Sequence, residues 1–297
     1  MITDSIRHEP LCQSLLSDAA NVVCSITSEL ADEDEVREYR SPLFQSLIVT
    51  GGHVERRTTS WFSPNLQMEM PLVAYGHAGQ TLLMLPTAAA DYLEYERFYL
   101  VDAVKPFIEQ GLVRAYSINS VNKYSLLNKE MPPKLKAELL TRYDRYIVDE
   151  VLPLIRNEGG ADARPITTGA SLGAFLAANE YFKHPDLFRG TIPMSGSYDI
   201  KSFLDGYYDD NVYFNNPVDY LSNLNDDHIL GILRNADAIY IISGQGSYED
   251  PDRSRQLSNI LTSKEIPHTL DLWGPDVNHD WPWWRKMLPH VLGKIVG

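Results

Sequence analysis

Residues 165–180 read Pro165-Ile166-Thr167-Thr168-Gly169-Ala170-Ser171-Leu172-Gly173-Ala174-Phe175-Leu176-Ala177-Ala178-Asn179-Glu180. The first part of this stretch is apolar and β-prone, and the last part is rich in helix formers. Gly169-Ala170-Ser171-Leu172-Gly173 joins the two. A G-x-S-x-G turn between a strand and a helix strains the serine backbone and lifts its Oγ above the end of a sheet. Only small residues fit two positions to either side. The helix that begins there aims backbone N–H groups and the positive end of its dipole at any nearby oxyanion. Ser171 is therefore read as a nucleophile. The plainer reading of the same residues is a strand-to-helix turn whose serine caps the helix.

Working outward, short apolar runs alternate with amphipathic ones. Strands are expected over 36–40, 45–50, 53–62 and 68–75, with Gly51-Gly52 as a turn. Further strands are expected over 81–86, 113–119, 166–170, 190–195, 238–243 and 268–273. Helices are expected over 98–109, 134–156, 254–263 and 281–291. Buried strands alternating with helices predict an α/β fold: a mostly parallel central sheet with helices on both faces. The early strands lack helices between them and predict an antiparallel N-terminal edge. Residues 200–237 interrupt the alternation with a run rich in Tyr, Asn and Asp, read as a lid or pocket-wall insertion. Residues 1–40 read as an extension. In it Leu11, Leu15, Leu16, Ala19, Val22, Val23 and Ile26 mark a short helix, and 29–35 form an acidic linker. The remainder, 41–297, reads as one catalytic domain.

The chain has 297 residues, 44% of them hydrophobic and 22% charged, ordinary proportions for a globular protein. A net charge of −14 argues against a nucleic-acid partner. No stretch approaches the ~18 apolar residues of a membrane span. The N-terminus has no basic start followed by a long apolar core, so a cytoplasmic location is expected. Cys12 and Cys24 read as incidental thiols.

A serine nucleophile needs a base, and the base needs an acid to orient it. In sheets of this kind the order along the chain is serine, acid, histidine. His184, His228, His268 and His290 fall at a helix end, in a polar stretch, at the start of the last strand and inside the last helix. His279 alone lies in the loop after the last strand and is the expected base. The loop after 238–243 offers Glu249 and Asp250. Glu249 is preferred; Asp250 is the alternative and equally suits a helix cap. The oxyanion donors are expected to be the N–H of Leu172 and that of Ala88, with Ala89 as a further choice, from the small-residue loop Thr87-Ala88-Ala89-Ala90. Tyr124, Tyr207, Tyr213 and Trp281 are candidate substrate-binding aromatics, against the reading of ordinary packing. His279-Asp280 and Asp209-Asp210 match no trusted ligand spacing, so no metal and no cofactor is expected.

With these residues in place the chain resembles the putative esterase family of α/β-hydrolases, relatives of S-formylglutathione hydrolases, feruloyl esterases, enterochelin esterases and mycolyltransferases. The likeness rests on Leu85-Pro86-Thr87, Thr168 through Ala174, Pro193-Met194-Ser195-Gly196, Ser243-Gly244-Gln245-Gly246 and Trp273 through Trp281. It runs from about residue 44 to the end. It implies an α/β-hydrolase fold and a serine esterase acting on a small-molecule or glycan-linked ester. It also implies Ser171 and His279 in the catalytic roles, with an acid from the 246–250 loop. An acyltransferase and a non-catalytic binding protein are the other readings of such a scaffold. A homo-oligomer is compatible with the sequence, and no membrane partner is expected.

Overall fold

The computed structural model describes residues 55–297. The expected helix and acidic linker before residue 36, the strands at 36–40 and 45–50, the Gly51-Gly52 turn, both cysteines and the boundary at 40 lie outside the described residues.

Eight strands form one sheet. They are β1 Arg56–Ser63, β2 Met68–Tyr75, β3 Gln80–Leu85, β4 Val113–Ile118, β5 Ile166–Ala170, β6 Gly190–Met194, β7 Ala238–Ser243 and β8 Thr269–Leu272, in the order β1-β2-β4-β3-β5-β6-β7-β8. β1 pairs antiparallel with β2, and β2 with β4; every other pair is parallel. A short turn suffices between antiparallel neighbours, whereas parallel neighbours need a crossover, and here the crossovers are helical. The chain runs from β3 to β4 on one side, then crosses to β5 on the other side of β3. Such a reversal opens a crevice outside the carboxyl ends of the two central strands.

The helices are α1 Glu94–Arg97, α2 Leu100–Glu109, α3 Pro133–Tyr146, α4 Leu152–Gly159, α5 Leu172–Lys183, α6 Asp210–Tyr213, α7 Pro217–Ser222, α8 Asp227–Arg234, α9 Pro251–Ser263 and α10 Trp281–Ile295. Strand side chains alternate between the two faces, as a period of two requires. Leu82 and Met84 join α2 and α10 through Val104, Ile108, Met287 and Val291. Leu83 and Leu85 join α3, α5 and α9 through Tyr143, Phe175, Leu176 and Leu257. In α5 every residue from Gly173 to Phe182 is buried. Burying a side chain such as Leu176 or Phe182 is worth about 1.5–3 kcal/mol, so packing rather than intrinsic propensity holds this helix.

The structure departs from sequence expectation in several places, including helix ends at Pro251 and Ile295. The helix expected over 98–109 begins at Leu100, because Tyr99 takes a left-handed φ of 62° and breaks it from α1. The helix expected over 134–156 continues to Gly159 and contains a π-helical turn, Ile147–Val151. Residues 200–237 hold a 3-10 turn, Lys201–Phe203, and the helices α6, α7 and α8. No helix among the described residues is long and apolar enough to cross a membrane.

Candidate active site

Ser171 stands at the end of β5 with φ 56° and ψ −120°, a conformation L-residues rarely adopt. Its N–H is anchored on the Met194 carbonyl at 2.9 Å. The two glycines of the turn let its arms close. A Cβ on Gly169 would stand 2.7 Å from the Leu85 carbonyl oxygen. One on Gly173 would stand 2.7 Å from the Pro86 carbonyl oxygen and closer still to that of Leu85. The strand-to-helix reversal therefore depends on having no side chain at either position.

The sheet register sets up the next shell. Ala170 pairs with Met194, and Met194 with Ile242. Ser171, Ser195 and Ser243 therefore occupy equivalent places at the carboxyl ends of three neighbouring strands. The Ser195 hydroxyl donates to Glu249 Oε1 at 2.6 Å, and that of Ser243 lies 3.2 Å from Glu249 Oε2. Trp284 Nε1 donates to Ser195 Oγ at 3.1 Å, which polarises Ser195 toward the carboxylate. The Glu249 side chain is 1% exposed, and its Oε2 lies 3.5 Å from His279 Nδ1, a long polar contact. Burial acts to raise the Glu249 carboxyl. The His279 imidazole and the Ser195 hydroxyl outweigh it and hold the group below its ordinary value. The His279 ring meets Trp284 edge-on at 5.1 Å, and its backbone N–H donates to the Ser247 carbonyl.

The two acidic candidates separate in space. Glu249 turns inward to His279. Asp250 is 59% exposed, stands at the N-cap position of α9 and pairs with Arg253 at 3.0 Å.

Ser171, Leu172, Ala88, Ser195 and His279 line one cavity of about 370 Å³, together with Asp250, Arg253, Ile200, Ser202, Phe203 and the exposed Tyr248. The N–H groups of Ala88 and Leu172 have no hydrogen-bond acceptor among the described residues. Ala89 takes φ 57° and turns the loop back after Ala88. No hydrogen bond joins Ser171 Oγ to His279 among the described residues. Such contacts commonly tighten only once substrate is bound.

Four aromatics read as substrate contacts do not line this cavity. Tyr124 is half-exposed beneath the Lys123 ammonium. Tyr207 donates to Asp209 and packs on the core. Tyr213 packs edge-on against Phe214. Trp281 stacks on Phe98 at 4.5 Å and abuts Trp284. Each has found an ordinary packing or hydrogen-bonding partner elsewhere. Sequence reading did not foresee the bonds that tie Trp284 to Ser195 and Ser195 to Glu249. Their link to Glu249 is set by strand register and by α10, neither of which leaves a local motif.

Among the described residues, Asp144, Glu180 and His184 bring together the donor types a metal uses. The Lys183 ammonium already sits 2.8 Å from Asp144 Oδ1. Burial, then the Asp144 charge, raises the Glu180 carboxyl well above its ordinary value. Lys183 and His184 already partner the Asp144 carboxylate. A larger cavity, about 870 Å³, opens where β3, β5, β6 and β7 begin. Its Arg164 donates to the Pro185 and Phe188 carbonyls, and its Arg189 to Gln80 and Asp237.

An eight-stranded, mostly parallel sheet with a strained serine between β5 and α5 defines an α/β-hydrolase fold. Solved structures of that fold are similar to this chain. A ferulic acid esterase shares 19% identity at a TM-score of 0.64, covering 85% of this chain and 99% of its own. The S-formylglutathione hydrolase of Staphylococcus aureus shares 15% at 0.61, covering 84% and 100%. A CE1 ferulic acid esterase of the anaerobic fungus Anaeromyces mucronatus shares 11% at 0.59, covering 88% and 94%. No curated protein matches the sequence. The family model described as Putative esterase matches residues 122–295, more than half of the chain. The chain belongs to the Putative esterase family and is a carboxylic-ester hydrolase. The matched span contains Ser171, Ser195, Glu249 and His279 but not Ala88.

Proposed function

We propose that this hydrolase cleaves carboxylic esters through an acyl-enzyme, with Ser171 as nucleophile, His279 as general base and Glu249 as the acid that orients it. The observation that carries this reading is the shared cavity. Ser171, His279 and two unengaged N–H groups face one space, with a buried carboxylate behind the imidazole. Ser171 Oγ attacks the ester carbonyl carbon as His279 takes its proton. The carbonyl oxygen becomes an oxyanion and accepts from Leu172 and Ala88 N–H. Collapse breaks the acyl–oxygen bond, and His279 returns the proton to the departing alcohol. Water then repeats the sequence on the acyl-serine and releases the acid. Glu249 remains ionised throughout and fixes which imidazole nitrogen carries the proton.

The substrate we infer is a small-molecule or glycan-linked ester with a compact acyl group. About 370 Å³ lies near the small end of ligand cavities. Tyr248, 94% exposed, stands at the rim, where the alcohol moiety would reach solvent. Ile200, Ser202 and Phe203, at the start of the 200–237 segment, line the same cavity. The test is Ser171→Ala against wild type on a panel of p-nitrophenyl and hydroxycinnamoyl esters, with fluorophosphonate labelling. Loss of both turnover and labelling in Ser171→Ala is expected. Full activity in that variant overturns the site, and a wild type inert toward every ester overturns the reading.

A further inference from the structure

The short helix α1 stands directly behind the loop that carries Ala88, and three buried side chains converge on that loop. Glu94 Oε2 accepts the Thr87 N–H at 2.8 Å, and its Oε1 accepts the Thr87 hydroxyl at 2.5 Å. Asn122 Nδ2 donates to the Thr87 carbonyl at 3.3 Å. All the polar groups of Thr87 are thereby engaged. The neighbouring Tyr95, wholly buried, donates its hydroxyl to the Leu85 carbonyl and accepts the Ala170 N–H at 3.3 Å.

The Thr87 carbonyl and the Ala88 N–H are opposite ends of one planar trans peptide group. Whatever fixes the direction of the first fixes the direction of the second. Ala88 is followed by Ala89 in the left-handed region, which a non-glycine residue keeps only where its surroundings over-determine it. Tyr95 bonds to the residue before Ser171 and to the strand that leads into Thr87, so it spans the two halves of the oxyanion site.

We propose that Glu94, Asn122 and Tyr95 are positioning residues for ester cleavage. Asn122 aims the Ala88 N–H through the shared Thr87–Ala88 peptide, Glu94 anchors Thr87 ahead of it, and Tyr95 sets its separation from Ser171. The assignment rests on the proposed roles of Ser171 and Ala88. None of the three need touch substrate. Their effect is on the transition state, because an oxyanion donor works only within about 2.7–3.1 Å of the developing charge. A misplacement of about 1 Å costs on the order of 10²-fold.

The experiment compares wild type, Ser171→Ala, Asn122→Ala, Tyr95→Phe, Glu94→Ala and Glu94→Gln on p-nitrophenyl acetate. It also measures melting temperatures and inhibition by phenylboronic acid, which forms a tetrahedral serine adduct. Ser171→Ala judges the nucleophile separately from the rest. Asn122→Ala, Tyr95→Phe and Glu94→Ala are each expected to lower kcat about 10- to 100-fold, with KM within about twofold and boronate affinity reduced in parallel. Glu94→Gln keeps an acceptor for the Thr87 N–H and a donor for its hydroxyl, and recovers most of the Glu94→Ala loss. Tyr95→Phe removes a single oxygen and keeps the proposal testable if the alanine variants do not fold. With Ser171→Ala inactive, kcat within twofold of wild type in Tyr95→Phe and Asn122→Ala overturns the proposal. So does a loss carried by KM, a failure of Gln to rescue, or a kcat that falls only in step with melting temperature.

Discussion

The two ends of the parallel strands carry very different chemistry. At their carboxyl ends lies the smaller cavity, and around it four non-glycine residues take positive φ: Ala89, Ser171, Ser195 and Tyr248. They sit in the connections that follow β3, β5, β6 and β7. At the amino ends lies the larger cavity, and no non-glycine residue lining it has positive φ. Its two guanidinium groups are spent on backbone carbonyls, Gln80 and Asp237. Volume alone would point to the other end. Strained backbone and unengaged N–H groups distinguish the end we propose as reactive, since departures of this kind concentrate at functional sites.

The comparison breaks most readily at Glu249. Glu249→Gln is expected to lower kcat by roughly 10²–10⁴-fold, since the imidazole loses its orienting charge. Asp250→Asn should stay within about threefold in the same assay. Equal losses in the two would undo the distinction between an inward and a solvated carboxylate. Because the folded Glu249 is held below its ordinary value, its contribution to stability is present at neutral pH. That contribution is lost as acid carries pH down through the lowered value. Urea unfolding of wild type and Glu249→Gln from neutral to acid pH should show the variant losing less.

Gly173→Ala tests the strained turn itself. Its methyl group meets two backbone carbonyls that have no side-chain freedom, so a loss of about 1–3 kcal/mol by denaturant titration is expected. Wild-type stability there would mean that the arms of the turn are not closed as described. Ser195→Ala comes next. It removes the 2.6 Å donor to Glu249, and a drop in kcat of about tenfold, with unchanged KM, is expected. The smallest effect belongs to the other end. Arg189→Ala should leave kcat/KM untouched and cost under about 1 kcal/mol, as a partly exposed ion pair is worth little. A marked loss of turnover there would erase the contrast between the two ends.

Much of this organisation is legible in the chain. The run from Ile166 to Glu180 spells strand, strained turn and helix, because local sterics dictate all three. The positions of His279 and of the 246–250 loop follow from strand order alone. What the sequence does not carry is depth. Glu249 and Asp250 are adjacent letters, and only the closure of the loop against Val277 and Asn278 sends one inward and the other to Arg253. Ser195 owes its place to the register of β6 between β5 and β7. Glu94 and Asn122 lie 28 residues apart in the numbering yet both bond to Thr87. Tyr124, Tyr207, Tyr213 and Trp281 stand outside the lining of the smaller cavity, which no local pattern in the sequence conveys.

The wide turn at Ile147–Val151 places Glu150 against the β1–β2 corner, where it accepts from Trp61, Ser63 and Asn65. An α-helix turns length into angle, at about 100° per residue. Removing one residue here would make the helix regular and swing that carboxylate away from all three donors. The long helix therefore cannot drift by a single insertion or deletion without releasing the corner of the sheet it clasps.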